Sequence, residues 1–171
     1  MTNDLSTARG NWGGWENKAK AADQVPEGRP PVVASPRPPA GPAKLSLTEL
    51  LGLAREQRRA GNWNGVLETY RAIIRTYPGT PDAYTCWFLM GQVQFQEQGR
   101  LTDALGSFET YLRLHPGGSL VEEAEWGVVS ALRALERSAP ERAALERFLR
   151  RFPGSPHRQK AAERLKTLGG E

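Results

Sequence analysis

YPGTPDAYTCWFLMGQVQFQEQGRLTDALGSFETYLRLHPGG, residues 77–118, holds one full period of a repeat. It opens on Tyr77-Pro78-Gly79-Thr80-Pro81 and closes inside His115-Pro116-Gly117-Gly118-Ser119. The same turn returns as Phe152-Pro153-Gly154-Ser155-Pro156. Its first prolines lie 38 and 37 residues apart, Tyr70, Phe108 and Leu145 keep that step, and Gly61 and Gly99 are 38 apart. Three markers sharing one period indicate stacked supersecondary units, each too small to bury its apolar face alone.

Within a period the apolar residues step as a helix requires. Trp63, Leu67, Tyr70, Ile74 and Tyr77 advance by 4, 3, 4 and 3, placing them on one stripe. Leu101, Leu105, Phe108 and Leu112 do the same in the second unit, and Leu145, Phe148 and Phe152 in the third. The first helix of the third unit carries Val121, Ala124, Val128, Leu132 and Leu135. Capping boxes are expected at Ser46/Glu49, Ser119/Glu122 and Ser138/Glu141, where a hydroxyl and a carboxylate satisfy each other's first-turn amides. Thr80 before Pro81 and Ser155 before Pro156 mark two further starts. The spacing predicts helices over 46–60, 63–77, 81–98, 101–114, 119–136, 139–151 and 156–168. The expected fold is all-α: three helix pairs in one stack, closed by a seventh helix. Arg158, Gln159, Lys160, Glu163, Arg164 and Lys166 make that last helix a polar end cap.

Outside the repeats, residues 1–44 read as a flexible leader and 45–171 as the repeat domain. Seven of the chain's 13 prolines fall between Pro26 and Pro42, and proline's missing amide hydrogen and fixed φ favour an extended, solvated spacer. Trp12 and Trp15 precede it, and two large aromatics in a segment without a core read either as a docking motif for the repeats or a partner, or as the tail of a preceding domain. The chain carries a formal charge of +4, unevenly spread: residues 45–132 hold seven Lys/Arg against ten Asp/Glu, and residues 133–171 ten against five. Those basic residues alternate with glutamates and accompany no nucleic-acid motif, so no nucleic-acid partner is expected. No apolar run approaches the roughly 20 residues of a membrane span, and no membrane insertion is expected within this chain.

At this point the chain resembles the tetratricopeptide repeat family, through Trp87, Met90-Gly91, Ala104, Phe108 and Pro116 of the second unit. The resemblance covers roughly residues 45–168 and implies a right-handed solenoid of helix pairs. It departs from the family's period of 34 by three or four residues, and Gly91 to Gly99 is one residue longer than usual. Longer units ending in Tyr/Phe-Pro-Gly-Ser/Thr-Pro look like the repeats of Tol–Pal-associated and outer-membrane-assembly proteins of the bacterial envelope. FLMGQVQFQEQGRLTDALGSF with HPGGSLVEEAEWG is similar to the C-terminal repeat domain of FecR-like, anti-sigma-type envelope regulators. That resemblance implies a periplasmic or envelope location if the chain is a piece of a larger membrane-linked protein, and a cytoplasmic one if Met1 is the native start.

No catalytic constellation assembles. His115 and His157 flank turn prolines and read as solvated turn residues. Cys86, the lone cysteine, reads as a small buried hydrophobe. Zinc-like ligand spacings and phosphate-cradling glycine loops are both absent. No enzymatic activity, cofactor or metal is expected. The partner is expected to be another protein, as a peptide or helix in the inner groove lined by the first helix of each pair. The family's groove positions, carried over, are Thr85, Phe88, Gln92 and Gln96 in unit two, and Leu50, Ala54, Gln57 and Arg58 in unit one. Glutamine supplies a donor and an acceptor suited to peptide backbone, and Arg58 a carboxylate contact. Phe88 either anchors a partner or belongs to the apolar run Trp87–Met90. The alternative role is a spacer or self-associating module, with the Trp12/Trp15 segment of one copy packing on another.

Overall fold

The computed structural model describes residues 45–170. Among these, seven helices follow one another: α1 (Leu47–Arg59), α2 (Trp63–Thr76), α3 (Pro81–Gln96), α4 (Leu101–Leu114), α5 (Val121–Ala134), α6 (Ser138–Arg151) and α7 (Arg158–Gly169). Each packs on the next in antiparallel hairpins, and α3 also meets α5, so the hairpins stack in chain order. All seven predicted helices are present, with ends within about two residues, the usual scatter of helix termini.

The period is repeated in the backbone itself. The second helix of each hairpin ends on Tyr77, His115 or Phe152, with φ of −126°, −138° and −125° and ψ of 51°, 61° and 66°. In each, the amide of that residue bonds the carbonyl four residues back. The turn inside each hairpin also recurs: Gly61, Gly99 and Glu136 all have positive φ, at 68°, 63° and 56°. The first two positions are glycine, which reaches this region without steric cost. The third holds glutamate in a conformation that costs an L-residue roughly 1–2 kcal/mol. The hairpin geometry there overrides the residue's preference.

Two apolar clusters form the core. One gathers Leu50, Ala54, Val66, Leu67, Tyr70 and Ile73 of the first hairpin with Cys86, Met90 and Val93 of α3. The other runs from Phe88 and Phe95 through α4, α5 and α6 to Ala161 of α7. Phe108, fully buried, fits between two helices that approach closely through glycine. A Cβ on Gly91 of α3 or on Gly127 of α5 would lie 2.7 Å and 2.9 Å from its ring. Cys86 is buried, as a small core hydrophobe should be.

Two of the predicted caps form. Ser46 and Glu49 close a full capping box, and Thr80 Oγ1 accepts from Ala83 N ahead of Pro81. Three do not. The Glu141 carboxylate is drawn into a bidentate pair with Arg164 (2.7 and 2.9 Å), leaving nothing to complete a box with Ser138, which becomes the first residue of α6. Leu120 is pulled into the core and its amide donates to Tyr111 Oη at 3.2 Å, so α5 starts after Leu120 rather than after Ser119. Ser155 Oγ accepts from His157 N at 3.0 Å, and α7 begins only at Arg158. The two histidines also differ from expectation. His115 stacks on Tyr84 (5.0 Å between centroids) and His157 on Trp126 (4.6 Å, 4° between planes), so the turns are fastened to the hairpins by ring contacts.

Candidate partner-binding groove

Between α1 and α3, the first helices of hairpins one and two, lie two adjoining hollows. The first has an apolar floor of Leu51, Ala54, Cys86 and Leu89, with Arg55 and Arg58 on one side and Asp82 and Thr85 on the other. Trp63, Leu89 and Val93 floor the second, bounded by Arg58, Gln92, Gln96 and Glu97. Arg58 and Leu89 line both, so the hollows form one groove. Its walls follow from helical spacing. Asp82, Thr85, Leu89, Gln92 and Gln96 advance by 3, 4, 3 and 4 along α3, and Leu51, Arg55 and Arg58 by 4 and 3 along α1. Both guanidinium groups stand on the α1 wall, and the carboxylates Asp82 and Glu97 stand at opposite ends of the α3 wall.

Of the residues expected here, the fold brings five together: Ala54 in the floor, and Arg58, Thr85, Gln92 and Gln96 in the walls, whereas Leu50 lies in the core. Gln57 turns elsewhere, its side-chain oxygen accepting from Thr69 Oγ1 at 2.8 Å, which ties α1 to α2. Phe88 is 0% exposed, its ring 5.8 Å from Phe108 and 5.9 Å from Tyr111. It is core and offers no anchor, because its face of α3 points at α4 inside the stack. Trp12 and Trp15 lie outside the described residues. Sequence reasoning missed Arg55, Asp82 and Leu89, although the Thr85–Gln92–Gln96 stripe, extended one turn, runs through Asp82 and Leu89. Trp63 was assigned wholly to the α2 core stripe, whereas its position at the start of α2 places it in the groove wall.

Gln92 is unusual among the described residues. Its side chain is 3% exposed, and neither Nε2 nor Oε1 has a hydrogen-bond partner. Gln94, two residues on and equally buried, is satisfied: its amide lies 2.7 Å from Ser107 Oγ and, nitrogen inward, reaches the carbonyls of Met90 and Asp103. The difference is one of facing, Gln94 toward α4 and Gln92 toward the groove. The site carries an apolar floor, charges of both signs and an amide. Among the described residues no group of three or more His, Cys, Asp or Glu is placed to hold a metal ion, and no helix is long and apolar enough to cross a membrane.

Comparison with known proteins agrees with this architecture. Residues 51–119 match the tetratricopeptide repeat family, a span that begins in α1, includes all of α2, α3 and α4, and contains every residue that lines the groove. This region is a tetratricopeptide repeat, a type that is typically non-catalytic and generally mediates protein–protein interaction, and no enzyme family is detected. No curated protein matches the chain.

Proposed function

We propose that the α1–α3 groove holds a short segment of another protein, as an extended peptide or a helix, and that the chain serves as an interaction scaffold. The supporting observation is the continuous groove itself: apolar at its base, with Arg58, Thr85, Gln92 and Gln96 at its walls, in a repeat region whose general role is to bind proteins. A bacterial cell-envelope or regulatory assembly is the proposed setting, supported by the Tyr/Phe-Pro-Gly-Ser/Thr-Pro turns and the proline-rich leader.

The test is comparative capture. The full chain and an Arg58→Ala/Gln96→Ala variant are used to recover partners from the source cell, and bound proteins are identified by mass spectrometry. Both substituted side chains are partly exposed, so the variant should unfold within about 0.5 kcal/mol of the parent. A partner recovered by the parent and lost by the variant is the expected result. Equal recovery by both would remove the groove from the binding surface.

A further inference from the structure

Helix α3 meets the first hairpin through Cys86, Met90 and Val93, spaced 4 and 3, which join its core cluster. One period on, the same register falls on Ala124, Val128 and Ala131 of α5, and one further on Ala161, Leu165 and Leu168 of α7. All six belong to the second cluster or pack against it. One period back from α3, the register falls on Glu49, Leu53 and Glu56 of α1, which has no described helix before it. Leu53 is 36% exposed there and Leu45, just ahead of the helix, 46%. The other end of the stack is finished differently. Helix α7 lacks a second helix to pack on, and the α5 positions Trp126, Val129 and Leu132 recur in it as Glu163, Lys166 and Gly169. A solenoid end built that way is polar where its neighbour is missing, whereas α1 keeps a leucine at the centre of its free face.

A leucine between two glutamates calls for an occupant that is apolar at its centre and basic beside it. Glu56 makes no ion pair among the described residues. The chain contains such a segment in RGNWGGWENKAK, residues 9–20, which carries two tryptophans and three cations against one carboxylate. Its tether is long enough. In the extended form that proline favours, at about 3.1 Å per residue, the stretch Pro26–Pro42 spans about 50 Å. The whole of α1 is about 20 Å long. A tether also keeps the segment at high local concentration, so contacts too weak to join two molecules suffice. A second copy fits less well. Two α1 faces brought together would oppose glutamate to glutamate, and α7 has no exposed large apolar residue to cover Leu53.

We propose that residues 9–20 dock on the outward face of α1 in their own chain, with a tryptophan over Leu53 and a lysine facing Glu56. The segment takes the place of a preceding hairpin. The face lies across α1 from Leu51, Arg55 and Arg58, which line the groove, so docking leaves the groove open to a partner.

The test uses the full chain, 15N-labelled. Trp12→Ser/Trp15→Ser should shift the backbone amides of Glu49, Leu53 and Glu56 and leave Leu89 and Val93 of the groove in place. Leu53→Ser should return the indole N–H signals of Trp12 and Trp15 to their positions in the urea-unfolded chain. Because Leu53 is exposed, the melting temperature of that variant should change little. Glu56→Lys, which turns an attraction into a repulsion, should lower the docked-to-free ratio about threefold. All signals should survive about hundredfold dilution, as contacts within one chain do. Three results would each overturn the proposal. The first is no shift on α1 in the tryptophan variant, which leaves the segment unattached to this face. A shift centred on Leu51 and Leu89 instead would put the segment in the groove. Loss of the shifts on dilution would assign the contact to a second copy.

Discussion

The first two hairpins and the third carry out the same packing with different chemistry. Hairpins one and two are each bridged by a neutral pair at equivalent positions, Gln57 with Thr69 and Gln94 with Ser107. In hairpin three the equivalent positions, by the hydrogen bond that closes each turn, are Leu132 and Ala144, both buried and unable to bond. Ions take over there. Glu125, its side chain 4% exposed, accepts from Arg147 at 2.9 Å and from Arg151 at 3.3 Å, and Glu141, at 0%, holds Arg164 of α7. A neutral hydrogen bond contributes about 0.5–1.5 kcal/mol net. Removing one partner of a buried ion pair costs about 3–5 kcal/mol, because a charge is left without compensation. The C-terminal end, where α5 is sandwiched and α7 must close the stack, is therefore fixed by interactions that tolerate no loss. The groove lies at the other end, where the bridges are weaker and one amide is left unbonded.

The largest expected effect tests that contrast directly. Arg164→Ala leaves Glu141 as a fully buried carboxylate without its guanidinium partner and should lower stability by about 3 kcal/mol in urea denaturation. Gln57→Leu/Thr69→Val, which removes both ends of a neutral bridge, should cost about 1 kcal/mol or less. Equal losses in the two would erase the distinction between the ends. A replacement of both charges, Glu141→Leu with Arg164→Leu, should recover most of the Arg164→Ala loss.

A second effect concerns the joint between the ends. Phe108 sits against both Gly91 and Gly127, so it couples hairpin two to hairpin three. Gly127→Ala puts a Cβ 2.9 Å from its ring and should cost about 1–3 kcal/mol by overpacking, offset by about 1 kcal/mol of helix propensity. Gly106→Ala, on the exposed side of α4 with nothing within 4 Å of the new Cβ, has only the propensity gain and should stabilise by up to about 1 kcal/mol. Opposite signs are expected from thermal melts. Two gains would mean that the glycines are not holding the helices close.

Much of this was legible in the residues, and the part that was not has a common cause. Period, helix positions and turns follow from local rules, in which Pro, Gly and the 3–4 step of apolar residues act through the neighbouring chain. Failures came where a side chain had a distant competitor. Glu141 abandoned its capping box for Arg164, 23 residues away, and Ser119 lost its cap when Leu120 entered the core. Phe88 reads the same in sequence as a groove residue or a core residue, and only the position of α4 decides. The unbonded state of Gln92 beside the bonded Gln94 has no sequence signal, since the two residues share type and neighbourhood.

A third effect is smaller and concerns the turn at which hairpin three departs from the others. Glu136 occupies the left-handed region that Gly61 and Gly99 fill in the first two hairpins. Glu136→Gly relieves the roughly 1–2 kcal/mol conformational cost but loosens the unfolded chain by about 0.4–1 kcal/mol. A net gain of about 0.5–1 kcal/mol is expected, and the reverse substitution Gly99→Glu should lose a similar amount. Were Glu136→Gly destabilising, the third turn would need a contact from the glutamate that the other two do without.

The smallest effect separates the ends by pH. Two Ser46–Glu49 hydrogen bonds, side chain and then backbone, hold the Glu49 carboxyl below its ordinary value of 4.5. A depressed folded value stabilises above the unfolded one, and the contribution is lost as pH falls through the folded value. Acid therefore loosens the start of α1, one turn before Leu51 in the groove. Tyr111 titrates in the opposite sense. Burial raises its phenol above 10.0, opposed by the hydrogen bond from Leu120 N and supported by the nearby Glu123 charge. A raised value contributes stability in full below about 10, and that contribution disappears as pH climbs through the folded value. Alkali therefore attacks the centre, where Tyr111 packs on Phe88 and fixes the entry to α5. Hydrogen exchange at Leu50 should accelerate below pH 4.5 in the parent, and Ser46→Ala should remove that pH dependence. The pH dependence of global unfolding above pH 10 should flatten in Tyr111→Phe, at the cost of about 1 kcal/mol near neutrality for the unpaired Leu120 amide. Acid that melted the whole stack at once, instead of fraying α1, would show the groove end to be as tightly fixed as the capped end.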